Sequence, residues 1–368
     1  MFSARFKHKI RKVIPFGIIW AIFGFLYAIM ERGILGDSSH YPSSGNPYDF
    51  SSSLFSITIG GIVIGLVVGI MDVFVFKKVF KEKSFTQKLV LGIVFYVLII
   101  SVILFLMAFP SNNTQLDTPL LATSSSAGTF NFMTHFIYES LLAYMGILVV
   151  LSIFFSEVSE NLGKNALSNF FTGKYHSPKE EERVFMFLDM KASTAIAERI
   201  GHHDYFRLVQ EYYSDISEAI IETEGEIYQY VGDEIIVTWP LKKGIQNNRC
   251  VECFFIARDN FMNQREKYMR LFESAPTFKA GLHYGLVTTG EVGVIKKEIL
   301  FTGDVLSTTA RIQESCNGMG VDNLISENLL RLLDLGEAYS MKKMGICKLR
   351  GKNKPISLYH LSKEQVQL

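Results

Sequence analysis

Val184–Met190 reads VFMFLDM, and Gly225–Trp239 reads GEIYQYVGDEIIVTW. Each is a short apolar, strand-like run carrying an aspartate at its turn: Asp189 near the end of the first, Asp233 within Gly232-Asp233-Glu234 between the two halves of the second. The first run passes through Lys191-Ala192-Ser193-Thr194 into a helical pattern. A strand that ends in Asp and turns into a helix sets that carboxylate beside the free N–H groups of the helix N-terminus. A hairpin with Gly-Asp at its tip sets a second carboxylate at a turn. If the two strands are neighbours the carboxylates meet, and two like charges ~4 Å apart repel by roughly 4 kcal/mol at an effective dielectric of about 20. A divalent cation, Mg²⁺ with substrate phosphates completing its shell, removes that cost. The local reading is a two-carboxylate metal site for phosphoryl or nucleotidyl transfer. Taken singly, each aspartate is an ordinary turn residue, since Asp is common at N-caps and hairpin tips. The rest of the chain decides between the two.

Of 368 residues 48% are hydrophobic, too many for an ordinary soluble protein, and the excess sits in the first half. Four stretches, about 13–30, 54–76, 89–109 and 133–155, approach the ~20 residues that a bilayer core requires. Pro15 and Gly17 interrupt the start of the first. Basic residues alternate around these spans. Arg5, Lys7, Lys9, Arg11 and Lys12 precede the first, and Lys77, Lys78, Lys81, Lys83 and Lys88 lie between the second and third. The other two connections carry Arg32 and no basic residue, respectively. The asymmetry predicts cytoplasmic termini and a multi-pass protein of the cell (inner) membrane, with the lipid bilayer as a partner. Gly61, Gly65 and Gly69 make a smooth helix face, for packing inside the bundle or for a subunit contact. Asp72 and Glu139 are acidic residues in or near spans, where Asp72 can pair with nearby lysines. A net charge of +1 argues against a nucleic-acid partner. All four cysteines lie in the second half, and Cys250-x-x-Cys253 sits in a helical pattern with no second such pair, as small buried residues do.

The expected organisation is a four-span transmembrane domain (1–155), a helical linker (156–180) and a cytoplasmic catalytic domain (181–368). In the linker Val158, Leu162, Leu167, Phe170 and Phe171 form an imperfect helical stripe that Gly173 and Pro178 end. Beyond it the pattern runs strand, helix broken near Gly201, hairpin, a helix over about 248–272, two strands, helix, helix and a closing strand pair around Gly351. Mixed strands with helices on one face predict an α+β palm-like sandwich.

Five blocks in order, FLDMKAST (187–194), YQYVGDEIIVTW (228–239), FKAGLHYGLVTTGEVG (278–293), FTGDVLSTTAR (301–311) and LRGKNKPISLYHL (349–361), resemble the class III nucleotidyl cyclases, in particular bacterial membrane-anchored members. The resemblance implies an N-terminal four-helix transmembrane bundle plus a C-terminal α+β class III cyclase catalytic domain, a palm-like mixed sheet with helices. It implies that Asp189, Asp233 and the backbone carbonyl of Met190 meet the metals, two Mg²⁺ or Mn²⁺ per active site. Ser193, Thr194 and Gly232 fall at the phosphate-facing turns. Arg311 matches the arginine that stabilises the transition state, and Arg350 or Lys352 a basic residue near the phosphates. Arg suits this role because its charge is permanent and its fork matches phosphate oxygens.

The chain departs from the family pattern at three positions. Ser307 replaces the transition-state asparagine four residues before Arg311. Gln229, three before Gly232, stands where an adenine-reading lysine is usual, and Leu300, three before Gly303, where its partner is usual; Thr302 is close enough to substitute. ATP is the expected substrate, with GTP open because Gln229 offers both donor and acceptor. Family members draw the aspartates from one chain and the arginine from the other, so activity implies a homodimer. The resemblance thus implies an adenylate cyclase, possible regulation through its spans included. The alternatives are a guanylate cyclase and a receptor with a catalytically silent cyclase-like domain.

Overall fold

The computed structural model describes residues 4–41, 47–81, 83–116, 136–162, 169, 172–347 and 355–363. The chain divides into two compact units, Met1–Lys164 and Asn165–Leu368.

Among the described residues the first unit has four long helices: α1 (Ala4–Leu35), α2 (Phe50–Met71), α3 (Phe85–Leu116) and α4 (Phe136–Leu162). Four helical stretches are long and apolar enough to cross a membrane: Phe6–Leu35 in α1, Phe50–Val79 from α2 through the helical turns that follow it, Phe85–Val102 in α3 and Tyr138–Asn161 in α4. Their outward faces carry large apolar side chains such as Ile18, Phe55, Val63 and Leu98, each more than half exposed, as a lipid-facing surface does. The helix α1 runs through Pro15 rather than starting after it; apolar helices tolerate proline where neighbouring groups satisfy the freed carbonyl. The glycine face of α2 packs inside the bundle against α1. A Cβ on Gly65 would lie 2.7 Å from the Trp20 side chain and 2.8 Å from the Phe16 carbonyl, and one on Gly61 would lie 2.9 Å from the Trp20 carbonyl. Below this seam α2 passes into a π-helical turn, Asp72–Phe76. There Asp72 is buried, accepts from Tyr96 and Ser156 at 3.2 Å each, and lies 4.0 Å from Lys77. Glu139 is exposed in the first turn of α4. Of the linker stripe, Leu167, Phe170 and Phe171 lie outside the described residues.

The second unit is an eight-stranded mixed sheet: β1 (Lys179–Met190), β2 (Glu226–Val231), β3 (Glu234–Pro240), β4 (Phe278–Val292), β5 (Glu298–Thr302), β6 (Asn323–Ser326), β7 (Tyr339–Cys347) and β8 (Ile356–Lys363). The spatial order is β2-β3-β1-β4-β6-β8-β7, with β5 paired to β4. Among the described strand pairs only β4–β6 is parallel; the others are antiparallel. The longer helices among the described residues are α5 (Ser193–Ile200), α6 (His202–Glu222), α7 (Arg249–Asn263), α8 (Arg265–Phe272) and α9 (Asp304–Met319), with short helical turns at Leu241–Ile245 and Glu327–Leu330.

Helices cover both faces of this sheet, not one. Val184, Met186 and Leu188 of β1 face a core shared with α6, α7 and α8, through Leu208, Tyr212, Phe254, Phe261 and Tyr268 among others. Phe185 and Phe187 face the opposite way, into a second cluster with Val287, Phe301 and Val305 of α9. An unbroken apolar run such as VFMFL is what a strand buried on both sides requires. Two further details differ from the sequence pattern. The helix expected over 248–272 is two helices, separated at Gln264 (φ −101°). The four-residue β6, buried throughout, is a central strand too short to show alternation. The break at Gly201 is present, with φ +79° between α5 and α6. The closing pair β7–β8 is antiparallel, and Gly351 between its strands lies outside the described residues.

Candidate active site

Strand alternation places Asp189 on the same face as Phe185 and Phe187, the face that α9 covers. After Met190 the backbone turns sharply: Lys191 N–H donates to the Thr277 carbonyl at 2.8 Å, and Ala192 takes a left-handed conformation at φ +55°. A non-glycine residue there costs on the order of 1 kcal/mol, and such positions cluster at functional sites. The turn brings Ser193, the first residue of α5, back toward the carboxylates, where its hydroxyl bonds Asp233 and Tyr205. Thr194 is exposed one residue further on.

Asp233 stands at the β2–β3 hairpin tip behind Gly232, whose φ of +64° suits the first position of a two-residue loop. The Tyr213 hydroxyl donates to the Gly232 carbonyl at 2.6 Å, and its ring packs on Tyr230 at 4.4 Å, so α6 holds the tip. Strand β3 lies against β1 with Leu188 opposite Ile235, which sets Glu234 and Asp233 beside Asp189. The crowding is visible electrostatically. Burial pushes the Asp233 carboxyl above its ordinary range and Asp189 adds to the rise, while the Ser193 hydroxyl opposes it. Glu234 is pushed up to about 7 by burial, then by Asp189, Asp233 and Glu314, with Lys279 opposing. Asp233 Oδ2 is buried and, among the described residues, has no hydrogen-bond donor. A buried, undonated carboxylate oxygen beside a second carboxylate is donor chemistry that a cation satisfies.

Two residues that sequence reasoning missed hold Asp189. Lys279 stands directly opposite it in the β1–β4 register, with Nζ 3.2 Å from Oδ2. Gln313 of α9 donates from Nε2 to the same oxygen at 3.0 Å. The helix reaches that close because position 281 is glycine: a Cβ there would lie 2.5 Å from the Gln313 nitrogen and 2.7 Å from the Thr309 carbonyl. The cross-strand charge pair is readable once β1 and β4 are known to be neighbours; Gln313 carries no local signal.

The remaining candidates are spread around this centre. Ser307 is exposed in the first turns of α9 and donates to the Asp304 carbonyl at 3.0 Å. Arg311, one turn further, is half-buried. Gln229 is exposed on β2 at an irregularity in its pairing. Leu300 and Thr302 are exposed on β5, and Phe301 between them packs on Tyr228 at 4.8 Å, which brings β5 near Gln229. Arg350 and Lys352 lie outside the described residues. Cys250 and Cys253 are buried and unpaired, with thiols pushed up to about 12 by burial, as inert core residues are.

Among the described residues no group of three or more His, Cys, Asp or Glu side chains closes around one point. The donor set is instead an open one, two carboxylates beside a strand-end carbonyl. It fits a hard divalent cation that keeps positions for water or phosphate, as Mg²⁺ does, and does not fit a closed structural cage.

Residues 176–363 match the family model described as the adenylate and guanylate cyclase catalytic domain. Adenylate cyclase 2 of Rhizobium meliloti (strain 1021) is 30% identical over 210 residues, 57% of this chain and 58% of that protein. An adenylate cyclase of Anabaena cylindrica is 27% identical over 187 residues, 48% of this chain and 36% of that protein. The chain therefore spans little more than half of one relative's length and about a third of the other's. Among solved structures, a bacterial light-regulated adenylyl cyclase superposes with a TM-score of 0.52 at 13% identity, over 64% of this chain and 68% of that one. At that identity the likeness is one of fold.

Proposed function

The chain belongs to the adenylate and guanylate cyclase catalytic domain family, and on that premise we propose that it is a membrane-bound adenylate cyclase, converting ATP to 3′,5′-cyclic AMP and pyrophosphate at sites shared between two copies. The observation that carries the reading is the convergence of Asp189 and Asp233, with one Asp233 oxygen buried and undonated. Members of the family generally use divalent metal ions, and Asp189, Asp233 and the Met190 carbonyl are the groups that would hold Mg²⁺ or Mn²⁺. Such a cation, when bound, makes the ribose 3′-hydroxyl more acidic and offsets charge on the departing pyrophosphate.

The chain's own residues do the rest. Ser193 and Thr194 present hydroxyls and α5 backbone N–H groups to phosphate oxygens. The hairpin tip is kept rigid by Tyr213, so Asp233 needs no reordering when nucleotide arrives. Arg311, reaching the site from the second copy, stabilises charge that develops on the α-phosphate. Ser307 offers a hydroxyl one helical turn before it. Gln229, Leu300 and Thr302 line the base pocket. With no lysine among them, base selection rests on Gln229, and that exposed amide also suits guanine. A guanylate cyclase is accordingly the second reading. On this reading the four apolar helices anchor each copy of the dimer in the cell membrane.

Mixing two inactive variants tests the shared site. Chains carrying Asp233→Ala and chains carrying Arg311→Ala should each be nearly inactive alone. Co-expressed, random pairing makes half the dimers mixed, each with one complete site, so activity should return to roughly a quarter of wild type. A mixture that stays as inactive as its parts contradicts the shared site.

A further inference from the structure

Helix α9 faces two ways. At 3.6 residues per turn, Ser307 and Arg311 share one side, and Gln313 points about 200° away from Arg311. Gln313 is buried at 3% exposure, and its amide nitrogen donates to Asp189 Oδ2 at 3.0 Å. The helix cannot shift there without breaking its seat on the sheet, since the Gln313 backbone rests on Gly281. Lys279 holds the same oxygen at 3.2 Å. Left alone, its ammonium can turn toward either carboxylate oxygen and compete with a cation. A neutral donor locked on Oδ2 from the other side fixes the plane of the carboxylate and leaves Oδ1 for the metal.

We infer that Gln313 is a positioning residue that orients Asp189 and thereby ties the aspartate of one site to the helix presenting Ser307 and Arg311 to the other site. The inference rests on the two-fold shared site proposed above. In such a dimer each α9 belongs to both sites at once, touching one through Gln313 and the other through Arg311. The placement of Asp189 on one side and of Arg311 on the other is then set by one helix, tied to the aspartate through a single buried hydrogen bond.

The test uses full-length protein in detergent. Gln313→Met keeps the side-chain volume and removes the donor; Gln313→Ala removes both. Mn²⁺ affinity, read by the EPR signal of free Mn²⁺ without turnover, should fall about tenfold or more in both variants, the usual cost of losing a partner behind a metal ligand. A purely structural role predicts a fall in Gln313→Ala with Gln313→Met unchanged, and an unchanged Mn²⁺ affinity in Gln313→Met overturns the positioning role.

The tie between sites is read in mixed dimers of Asp233→Ala and Arg311→Ala chains, which hold one complete site. Gln313→Met added to the Arg311→Ala chain should raise the Mn²⁺ requirement of that site. Added to the Asp233→Ala chain, which gives the site only its α9, it should lower kcat with the Mn²⁺ requirement unchanged. If that second addition leaves kcat intact, the tie does not exist. If the parent mixture is inactive while wild type turns over, the shared site itself falls and the tie with it, but the Mn²⁺ result on Asp189 still stands or fails separately.

Discussion

Replacing Glu234 by Gln should stabilise the metal-free protein at neutral pH and remove most of its pH dependence in that range. Glu234 sits beside Asp189 and Asp233, and its carboxyl is raised from 4.5 to about 7. An acid whose folded pKa is raised binds its proton more tightly folded than unfolded. Its contribution is therefore neutral below about pH 4.5 and becomes destabilising as pH rises toward 7, where the folded form must also give up the proton. At about 1.4 kcal/mol per unit the full shift would be worth roughly 3 kcal/mol. Glu234 is only half-buried, so solvent screening reduces this to roughly 1–2 kcal/mol. The chain has two tryptophans. A Trp20→Phe background leaves Trp239, fully buried in the second unit, as the fluorescent reporter of its unfolding. In EDTA, wild type should lose about 1–2 kcal/mol more than Glu234→Gln between pH 5 and pH 8. Equal slopes for the two proteins, or a wild type that gains stability relative to the variant over this window, would refute the crowding of charge at the hairpin tip.

Arg311→Ala should lower turnover by about 10²–10³-fold, the usual effect of removing one group that stabilises developing charge, with nucleotide–metal affinity measured by calorimetry nearly unchanged; full activity in the variant would remove Arg311 from the site. Gly65→Leu forces a side chain into the Trp20–Phe16 contact and should cost about 2–3 kcal/mol or prevent assembly of the helices. Gly60→Leu, which meets nothing within 4 Å, should leave the Tm in detergent unchanged, and equal effects at the two glycines would contradict the α1–α2 seam. Asp72→Ala strands the Tyr96 and Ser156 hydroxyls and should destabilise the bundle by about 1–3 kcal/mol. Asp72→Asn, which keeps one acceptor oxygen for one of the two hydroxyls and turns an amide N–H toward the oxygen of the other, should lose less than Asp72→Ala in the same thermal scan; a larger loss for Asn than for Ala would count against the hydrogen-bonded arrangement.

The elements that carry strong local patterns were legible in the sequence. Four apolar helices, the strand ending at Asp189, the Gly232-Asp233 hairpin and the break at Gly201 all declare themselves through runs and turn residues only a few positions long. What was not legible depended on pairing across the sheet. β6 is four residues of Asn-Leu-Ile-Ser, and only its place between β4 and β8 makes it a strand. The second helical layer follows from Phe185 and Phe187 being covered by α9, which starts more than a hundred residues later. At the site, the meeting of Asp189 and Asp233 was inferred from two neighbouring strands, and β1 and β3 are indeed paired. Lys279 and Gln313 were missed because each reaches Asp189 across a long sequence separation, one by strand register and the other through a helix seated on Gly281. The glycine face of α2 allowed two uses, and only the position of α1 separates them.

The most direct measurement is product formation by the purified full-length protein with Mg²⁺ or Mn²⁺, given ATP and GTP in parallel, with Asp189→Ala as the blank. The account predicts cyclic AMP from ATP, abolished in the Asp189→Ala protein. Cyclic GMP from GTP instead would reassign the substrate through Gln229, and no product from either nucleotide by a folded, dimeric protein would contradict the catalytic reading altogether.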